Sequence, residues 1–237
     1  MSSFYTDVFM RGNRIYVRGY DKGIRVKYQI EYQPYIFNLD PKGEYRSIDG
    51  KRLSKFVFND IYHGKDYLKR HEGIANAPIY GLTGSMWPYL YIYDTFKGDI
   101  NYDPKMVKIG ILDIECASDE GFPNIYKADK KITAITIRCR GRNYVFGYEE
   151  FTTDDPNTFY IQCPNEANLL FQFLQCWKAL DLDIVTGWNT EGFDIPYLIN
   201  RIRGLGMQAE KLSPYGIINE REVTIRRKKN VYYNILG

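Results

Sequence analysis

The spacing of hydrophobic residues beyond residue 105 predicts an alternation of strands and helices. Short apolar runs predict strands at residues 106–115, 132–138, 143–147 and 182–186. Apolar residues at three- and four-residue intervals behind Asn165 predict a helix over residues 165–180. A second apolar stripe predicts a helix over residues 194–203, where Pro196 suits the first turn. The predicted order is therefore three strands, a helix, a strand and a helix.

Residues 1–62 follow a different pattern, in which short β-rich runs alternate with turns. The predicted strands here are residues 4–10, 14–20, 24–32 and 35–39. A short helix is predicted over residues 60–76, and a tyrosine-rich strand over residues 88–94 because tyrosine and isoleucine favour strands. We expect a small antiparallel sheet or partial barrel, and hence a β-rich N-terminal domain of residues 1–105 followed by a second domain of residues 106–237.

Composition places the chain among globular proteins. Of its 237 residues, 44% are hydrophobic and 26% are charged, enough to bury a sizeable core. No apolar run approaches a membrane span, and the first residues lack the features of a signal peptide, so we expect a cytoplasmic protein that does not enter a membrane. The four cysteines are widely spaced and suggest reduced thiols rather than a zinc site. A net charge of +3 is too small to identify a nucleic-acid binder.

Two acidic residues, Asp113 and Glu115, end the first apolar run of the second domain. Successive side chains of a strand face opposite ways, so these two carboxylates project from one face. Two like charges this close repel, and a divalent cation between them removes the penalty. Oxygen ligands alone favour Mg²⁺ or Mn²⁺. The alternative is an exposed strand end with no function.

A second candidate motif contains Asn189, Phe193 and Asp194, and lies between a predicted strand and a predicted helix. Asp194 therefore stands at the start of a helix. Aspartate is a favoured N-cap, so capping alone would explain this residue. The functional alternative is that its carboxylate points back toward the metal, with Asn189 and Phe193 beside it to hold a substrate.

The two motifs resemble, in order and context, those of the proofreading 3′–5′ exonuclease of family B DNA polymerases, in particular from T-even-type bacteriophages. Asp113-Ile114-Glu115 is similar to the first exonuclease motif, and Asn189-x-x-x-Phe193-Asp194 to the second. The likeness continues around the motifs, over residues 93–107 and 186–201. It implies a mixed α/β (α+β) fold, in which a β-rich N-terminal domain precedes an incomplete ribonuclease-H-like exonuclease domain.

The resemblance also implies a role for each residue. Asp113 would bridge two Mg²⁺ or Mn²⁺ ions, Glu115 would hold the ion that activates water and approach the 3′ hydroxyl, and Asp194 would support the second ion. Two ions roughly 3.5–4 Å apart can activate water, neutralise the transition state and stabilise the leaving 3′ oxygen. Asn189 and Phe193 would contact the frayed single-stranded DNA at the primer 3′ end.

Three further regions are candidates for nucleic-acid binding. Phe122 matches a position at which the phage enzymes place a ring against the unpaired primer end, although exposed phenylalanines are common. Residues 220–233 predict a hairpin with a basic tip, formed by Arg226, Arg227, Lys228 and Lys229. Such a tip either follows a phosphate backbone or is only a solvated surface, and a hairpin at this place in the phage polymerases is implicated in moving the primer end. The tyrosines of residues 1–105 either stack bases of single-stranded DNA or RNA, or simply pack on half-exposed strands.

The family completes its exonuclease site with a third motif, Tyr-x-x-x-Asp, and none follows Asp194 before Gly237. We therefore expect the N-terminal part of a replicative DNA-directed DNA polymerase, nearly inactive without a C-terminal polymerase part on the same or a separate chain. The resemblance implies a sliding clamp among its accessory partners. One alternative is a catalytically silent single-strand-binding module. Another is a stand-alone nuclease whose site is closed by Glu220 or Glu222.

Overall fold

The computed structural model describes residues 3–71, 78–119, 121–225 and 228–237. The chain forms two compact units, Met1–Asp103 and Pro104–Leu236, the N-terminal unit and the C-terminal unit. The assignment of domains to residues 1–105 and 106–237 stays a prediction.

The N-terminal unit is rich in antiparallel strands. Its first sheet has the order β1-β2-β3, with β1 Phe4–Arg11, β2 Arg14–Asp21 and β3 Ile24–Glu31. Its second sheet has the order β5-β6-β4-β7, with β4 Tyr35–Leu39, β5 Tyr45–Arg46, β6 Arg52–Val57 and β7 Ile79–Tyr80. Helix α1 spans Ile61–His71, and residues 72–77 of the predicted helix lie outside the described residues. The β-rich character predicted for this region is confirmed.

The strand predicted over residues 88–94 is wrong, because Trp87–Thr95 forms helix α2 after a 3₁₀ turn at Gly84–Met86. Proline in the first turn of the helix costs no hydrogen bond there. Trp87, Leu90 and Tyr91 recur at helical spacing and are buried in one core with Phe58. Burial of this stripe outweighs the strand preference of the tyrosines.

The C-terminal unit is built on a five-stranded mixed sheet of order β11-β10-β9-β8-β12. The strands are β8 Ile109–Cys116, β9 Ile132–Cys139, β10 Arg142–Gly147, β11 Thr158–Gln162 and β12 Ile184–Thr186. Strand β8 is antiparallel to β9 and parallel to β12. Strand β11, which the sequence analysis missed, is an edge strand parallel to β10.

Helices α3, Glu166–Leu180, and α4, Asp194–Gly204, share a core with one face of this sheet. Leu112 and Ile114 of β8 are buried in that core. The predicted cap of α3 is confirmed, since the Asn165 side chain accepts a hydrogen bond from the Asn168 backbone N–H at 2.9 Å. This packing fixes β8 and α4, the two elements that carry the acidic motifs.

A hairpin follows α4, as the sequence predicts. Strands β13, Ile218–Ile225, and β14, Lys228–Ile235, pair in antiparallel register after a 3₁₀ turn at Ala209–Leu212. Arg226 and Arg227 lie outside the described residues, and Lys228 and Lys229 are the first two residues of β14. The predicted phosphate contacts of these four residues therefore stay predictions.

The four cysteines are free thiols, and Cys139 and Cys163 are buried. Across the described ranges, no helix is both long and apolar enough to span a bilayer.

Candidate active site

Strand β8 presents Asp113 and Glu115 on one face of the sheet. Both residues are exposed, whereas Leu112 and Ile114, which alternate with them, are buried against the helices. The last residue of β12 pairs opposite Ile111, so β12 ends before the acidic pair. The two carboxylates consequently stand beside the point at which the chain leaves β12 for the second motif.

The loop from Gly187 to Gly192 lies directly against β8. A Cβ atom on Gly187 would lie 2.3 Å from the Leu112 carbonyl oxygen, so only glycine permits this approach. Asn189 adopts a left-handed backbone with φ of 55°, and its carbonyl accepts hydrogen bonds from the N–H groups of Gly192 and Phe193, both at 2.9 Å. This tight turn starts α4 beside the first motif.

Asp194 is the first residue of α4 and is almost fully buried, with 3% of its surface exposed. Its Oδ1 accepts a hydrogen bond from the Ile114 backbone N–H at 3.0 Å. The N-cap position belongs to Phe193, so capping does not explain Asp194. The carboxylate is instead turned back onto β8, at the residue that separates Asp113 from Glu115.

The surroundings of Asp194 disfavour its charged form. Burial raises the pKa of this carboxyl above its ordinary value, and the charges of Asp113 and Glu115 raise the pKa further. The hydrogen bond from Ile114 acts in the opposite direction without cancelling them. The three acids therefore share one electrostatic site.

This donor set fits a hard divalent cation in its chemistry. Three carboxylates supply only oxygen ligands, the preference of Mg²⁺ and Mn²⁺. Within the described residues, however, no three histidine, cysteine, aspartate or glutamate side chains come together closely enough to hold an ion. Asp113 and Glu115, both exposed, and the buried Asp194 are the residues that would hold such an ion.

An aromatic surface borders the acidic site. Phe122 is 86% exposed, and its ring centroid lies 5.8 Å from that of Phe193. Phe193 stacks in turn on Tyr197 of α4 with a centroid distance of 5.5 Å. The structure thus brings Phe122 and Phe193 together next to Asp194, and places Asn189, which is exposed, in the adjoining turn.

Glu220 does not join this cluster. Its carboxylate pairs with Arg203, near the C-terminal end of α4, and Arg203 also pairs with Glu210. Asp194 lies at the opposite end of the same helix, roughly 13 Å away at 1.5 Å per residue. The pattern Tyr-x-x-x-Asp does occur twice, as Tyr45 with Asp49 and as Tyr62 with Asp66, but both copies lie in the N-terminal unit.

Sequence reasoning missed a group of residues that supports the site. Glu166 of α3 accepts hydrogen bonds from the Ile132 backbone N–H at 2.7 Å and, through both carboxylate oxygens, from Arg201 of α4. Asn200 and Arg201 belong to the region of resemblance around the second motif, but no spacing rule reveals what they bind. Their partners are more than 30 residues away along the chain.

A mixed sheet with paired acids on a central strand, and a third acid from the following helix, is the arrangement implied for polymerase exonucleases. The family model for DNA polymerase family B, exonuclease domain, matches residues 91–235. Since this is more than half of the chain, the protein belongs to that family.

The chain is similar along its whole length to the DNA-directed DNA polymerase of Enterobacteria phage T4, with 29% identity over 268 residues that cover 100% of this chain and 29% of the relative. It is also 29% identical to the DNA-directed DNA polymerase of Escherichia phage RB69 over 98% of this chain and 28% of that protein. The DNA polymerase catalytic subunit of Equine herpesvirus 2 is 31% identical over 46% of this chain and 12% of its own length. The chain thus spans less than a third of these polymerases.

Proposed function

We propose that this chain carries the metal-binding acids of a 3′–5′ proofreading exonuclease within a family B replicative DNA polymerase. The observation that carries the proposal is the 3.0 Å hydrogen bond from the Ile114 N–H to Asp194, which holds the acid of the second motif between the two acids of the first. Membership of the family supports the same conclusion.

Asp113, Glu115 and Asp194 would hold Mg²⁺ or Mn²⁺, which when bound supplies charge neutralisation and an acidified water. Asp113 and Glu115 would present their exposed carboxylates to the cations, and the buried Asp194, held by the Ile114 N–H, would fix the position of the site. Phe122 and Phe193 offer ring faces to the terminal base, since base stacking on aromatic side chains tolerates any sequence. Glu115 accepts a hydrogen bond from the 3′ hydroxyl of the terminal nucleotide.

Metal binding by the 237-residue chain tests the assignment of the acids. Mn²⁺ binding would be measured by electron paramagnetic resonance for the unaltered chain, for Asp113→Ala and for Glu191→Ala. Glu191 is an exposed acid of the neighbouring loop and controls for a general loss of negative charge. We expect Asp113→Ala to weaken binding at least about tenfold and Glu191→Ala to leave it unchanged. Equal affinities for all three proteins would overturn the assignment.

Hydrolysis is tested with a 5′-labelled single-stranded oligonucleotide and Mn²⁺. We expect only slow shortening from the 3′ end, because the family's third motif, Tyr-x-x-x-Asp, does not occur in residues 104–237. The residual activity should disappear in Asp113→Ala and persist in Glu191→Ala. Rapid shortening that depends on Asp113 would support the exonuclease while refuting the expected weakness of the isolated chain. Shortening that persists in Asp113→Ala would refute the exonuclease.

The second candidate function is a single-strand-binding module without catalysis, and the exposed ring of Phe122 against Phe193 favours it. Under this alternative, single-stranded DNA would bind equally well to the unaltered chain and to Asp113→Ala, with or without a divalent metal. A metal-dependent affinity that Asp113→Ala abolishes would exclude it.

Under the main proposal, the partners of this chain are the remaining polymerase and its sliding clamp, and the protein acts in the host cytoplasm.

A further inference from the structure

Helix α4 holds the segment of residues 121–131, called the Phe122 loop, by its main chain. Four carbonyl oxygens of the loop accept hydrogen bonds from three α4 side chains. Asn200 donates to the carbonyl of Ile125, Arg201 donates to those of Ala128 and Asp129, and Tyr197 donates to that of Lys130, at donor–acceptor distances of 2.7–3.2 Å. The loop that bears the exposed phenylalanine is therefore positioned by the helix that begins with Asp194.

Among these bonds, the one from Asn200 lies closest to Phe122 along the chain. Asn200 Nδ2 donates to the Ile125 carbonyl at 2.8 Å, three residues beyond Phe122. Arg201 and Tyr197 bind further along, where Ala128 already has a constrained left-handed backbone with φ of 43°. The Phe122 end of the loop thus depends on Asn200 more than the distant end does.

Asn200 has a second partner in the hairpin. The Tyr233 hydroxyl of β14 donates to Asn200 Oδ1 at 2.9 Å. These two bonds fix the orientation of the Asn200 amide. The Ile125 carbonyl can only accept, so Nδ2 of Asn200 must face it, and Oδ1 is then free to accept from the Tyr233 hydroxyl. Tyr233 also packs against the core, and Glu220 of β13 pairs with Arg203, so the hairpin is anchored to the same helix.

We propose that Asn200 is a positioning residue that couples the β13–β14 hairpin to the Phe122 loop. Movement of the hairpin that draws Tyr233 away loosens the Asn200 amide, and with it the Ile125 carbonyl and the ring of Phe122. Only the consequence for DNA rests on the proposed function, through the contact of Phe122 with a strand end. The coupling itself is a property of the described contacts.

Hydrogen exchange of the Phe122 loop tests the coupling without DNA or metal. Tyr233→Phe removes the hydroxyl and keeps the ring, and Tyr232→Phe makes the same change at the neighbouring exposed residue. We expect amide exchange in residues 121–127 to rise roughly threefold to tenfold in Tyr233→Phe, the effect of one lost hydrogen bond, and to stay unchanged in Tyr232→Phe. Equal exchange in both variants would overturn the proposal.

The Asn200→Asp variant tests whether the Phe122 loop loosens when Asn200 keeps its bond to the hairpin but loses its bond to the loop. A carboxylate still accepts from Tyr233 but cannot donate to the Ile125 carbonyl. We therefore expect faster exchange in the Phe122 loop while the amides of β14 near Tyr233 stay protected. Loosening of both elements together, as a purely structural role would give, would contradict the relay.

The consequence for DNA is measured with a single strand that carries 2-aminopurine at its 3′ end. Phe122→Ala and Tyr233→Phe should each weaken binding and reduce base stacking. The double variant should be no worse than Phe122→Ala alone, because both act through one ring. Additive losses would overturn the coupling to the ring. If the unaltered chain binds no strand at all, the proposed function fails, whereas the exchange experiment still decides the coupling.

Discussion

Asp94 of the N-terminal unit and Asp194 of the C-terminal unit are both acids on helices near a core, yet their surroundings differ. Asp94 accepts hydrogen bonds from the hydroxyls of Tyr32 at 2.9 Å and Tyr35 at 3.0 Å, one to each oxygen. Asp194 accepts one backbone N–H through Oδ1 and faces two further acids, Asp113 and Glu115. The first acid has donors around it, and the second has like charges.

Because of this difference, Asp94 stabilises the fold, whereas the charged form of Asp194 destabilises it. Buried acids are stable when donors satisfy them, and acids held near like charges are typical of functional sites. Glu166 extends the comparison, because it lies in the same unit as Asp194 but is satisfied by Arg201 and Ile132. The partners of an acid, rather than the unit that contains it, set its contribution to stability.

The largest effect is expected for Glu166→Ala. Arg201 would remain largely buried without its carboxylate, and the Ile132 N–H would lose its acceptor. We expect the free energy of unfolding of the C-terminal unit to fall by about 3–5 kcal/mol. Native-state hydrogen exchange of α3 and α4 measures this, with the exposed Glu150→Ala as control. A loss below about 1 kcal/mol would show that the pair is not a support of the fold.

Asp94→Ala should have a smaller effect of the same sign. It leaves the hydroxyls of Tyr32 and Tyr35 without their shared acceptor, for an expected loss of about 1.5–3 kcal/mol in the N-terminal unit. Native-state hydrogen exchange of that unit measures the loss, and the exposed Asp99→Ala is the matched control. If Asp94→Ala and Asp99→Ala change the stability of the N-terminal unit equally, Asp94 does not stabilise the fold and does not differ from Asp194 in this respect.

The same tyrosines predict a dependence on alkaline pH. Burial, and then the hydrogen bond to Asp94, raise the pKa of both Tyr32 and Tyr35 above the ordinary 10.0. The folded unit keeps them protonated while the unfolded chain releases their protons, so this stability is complete below pH 10 and is lost as the pH rises above it. The loss should not exceed about 1.4 kcal/mol per pH unit for each tyrosine, because each tyrosine releases at most one proton. Unfolding measured between pH 8 and 11 should show a shallower fall in Tyr32→Phe.

Asp194→Asn should have the smallest effect, and in the opposite direction. Because the pKa of Asp194 is raised, its ionisation favours the unfolded chain as the pH rises through the folded pKa. The amide oxygen of asparagine can still accept from Ile114, so we expect a gain of about 0.5–1 kcal/mol at pH 7 that shrinks in acid. The exposed Asp154→Asn serves as control. Added Mn²⁺ should stabilise the unaltered chain and not the Asp194→Asn variant, and a loss of stability at pH 7 would remove the contrast with Asp94.

Sequence predicted the elements whose burial pattern is local and regular. Helix α3 follows from an Asn165 cap and an apolar stripe, and β8 from a short apolar run that ends in two acids. The strand prediction for residues 88–94 was wrong because tyrosine fits a half-exposed strand as well as a helix. The burial of Trp87 favoured the helix. Strand β11 was missed because its apolar run, Phe159 to Ile161, has only three residues, fewer than the four to eight that predict a strand.

By itself, the sequence determined that Asp113 and Glu115 share one face, because a strand repeats every two residues wherever it lies. It also determined, through the two motifs, which family the chain resembles. Tertiary structure alone decided that Asp194 receives the Ile114 N–H, 80 residues away along the chain, and that Asn200 joins the hairpin to the Phe122 loop. The physical reason is that periodicity acts over a few residues, whereas these contacts exist only after the sheet and α4 have packed around a common core.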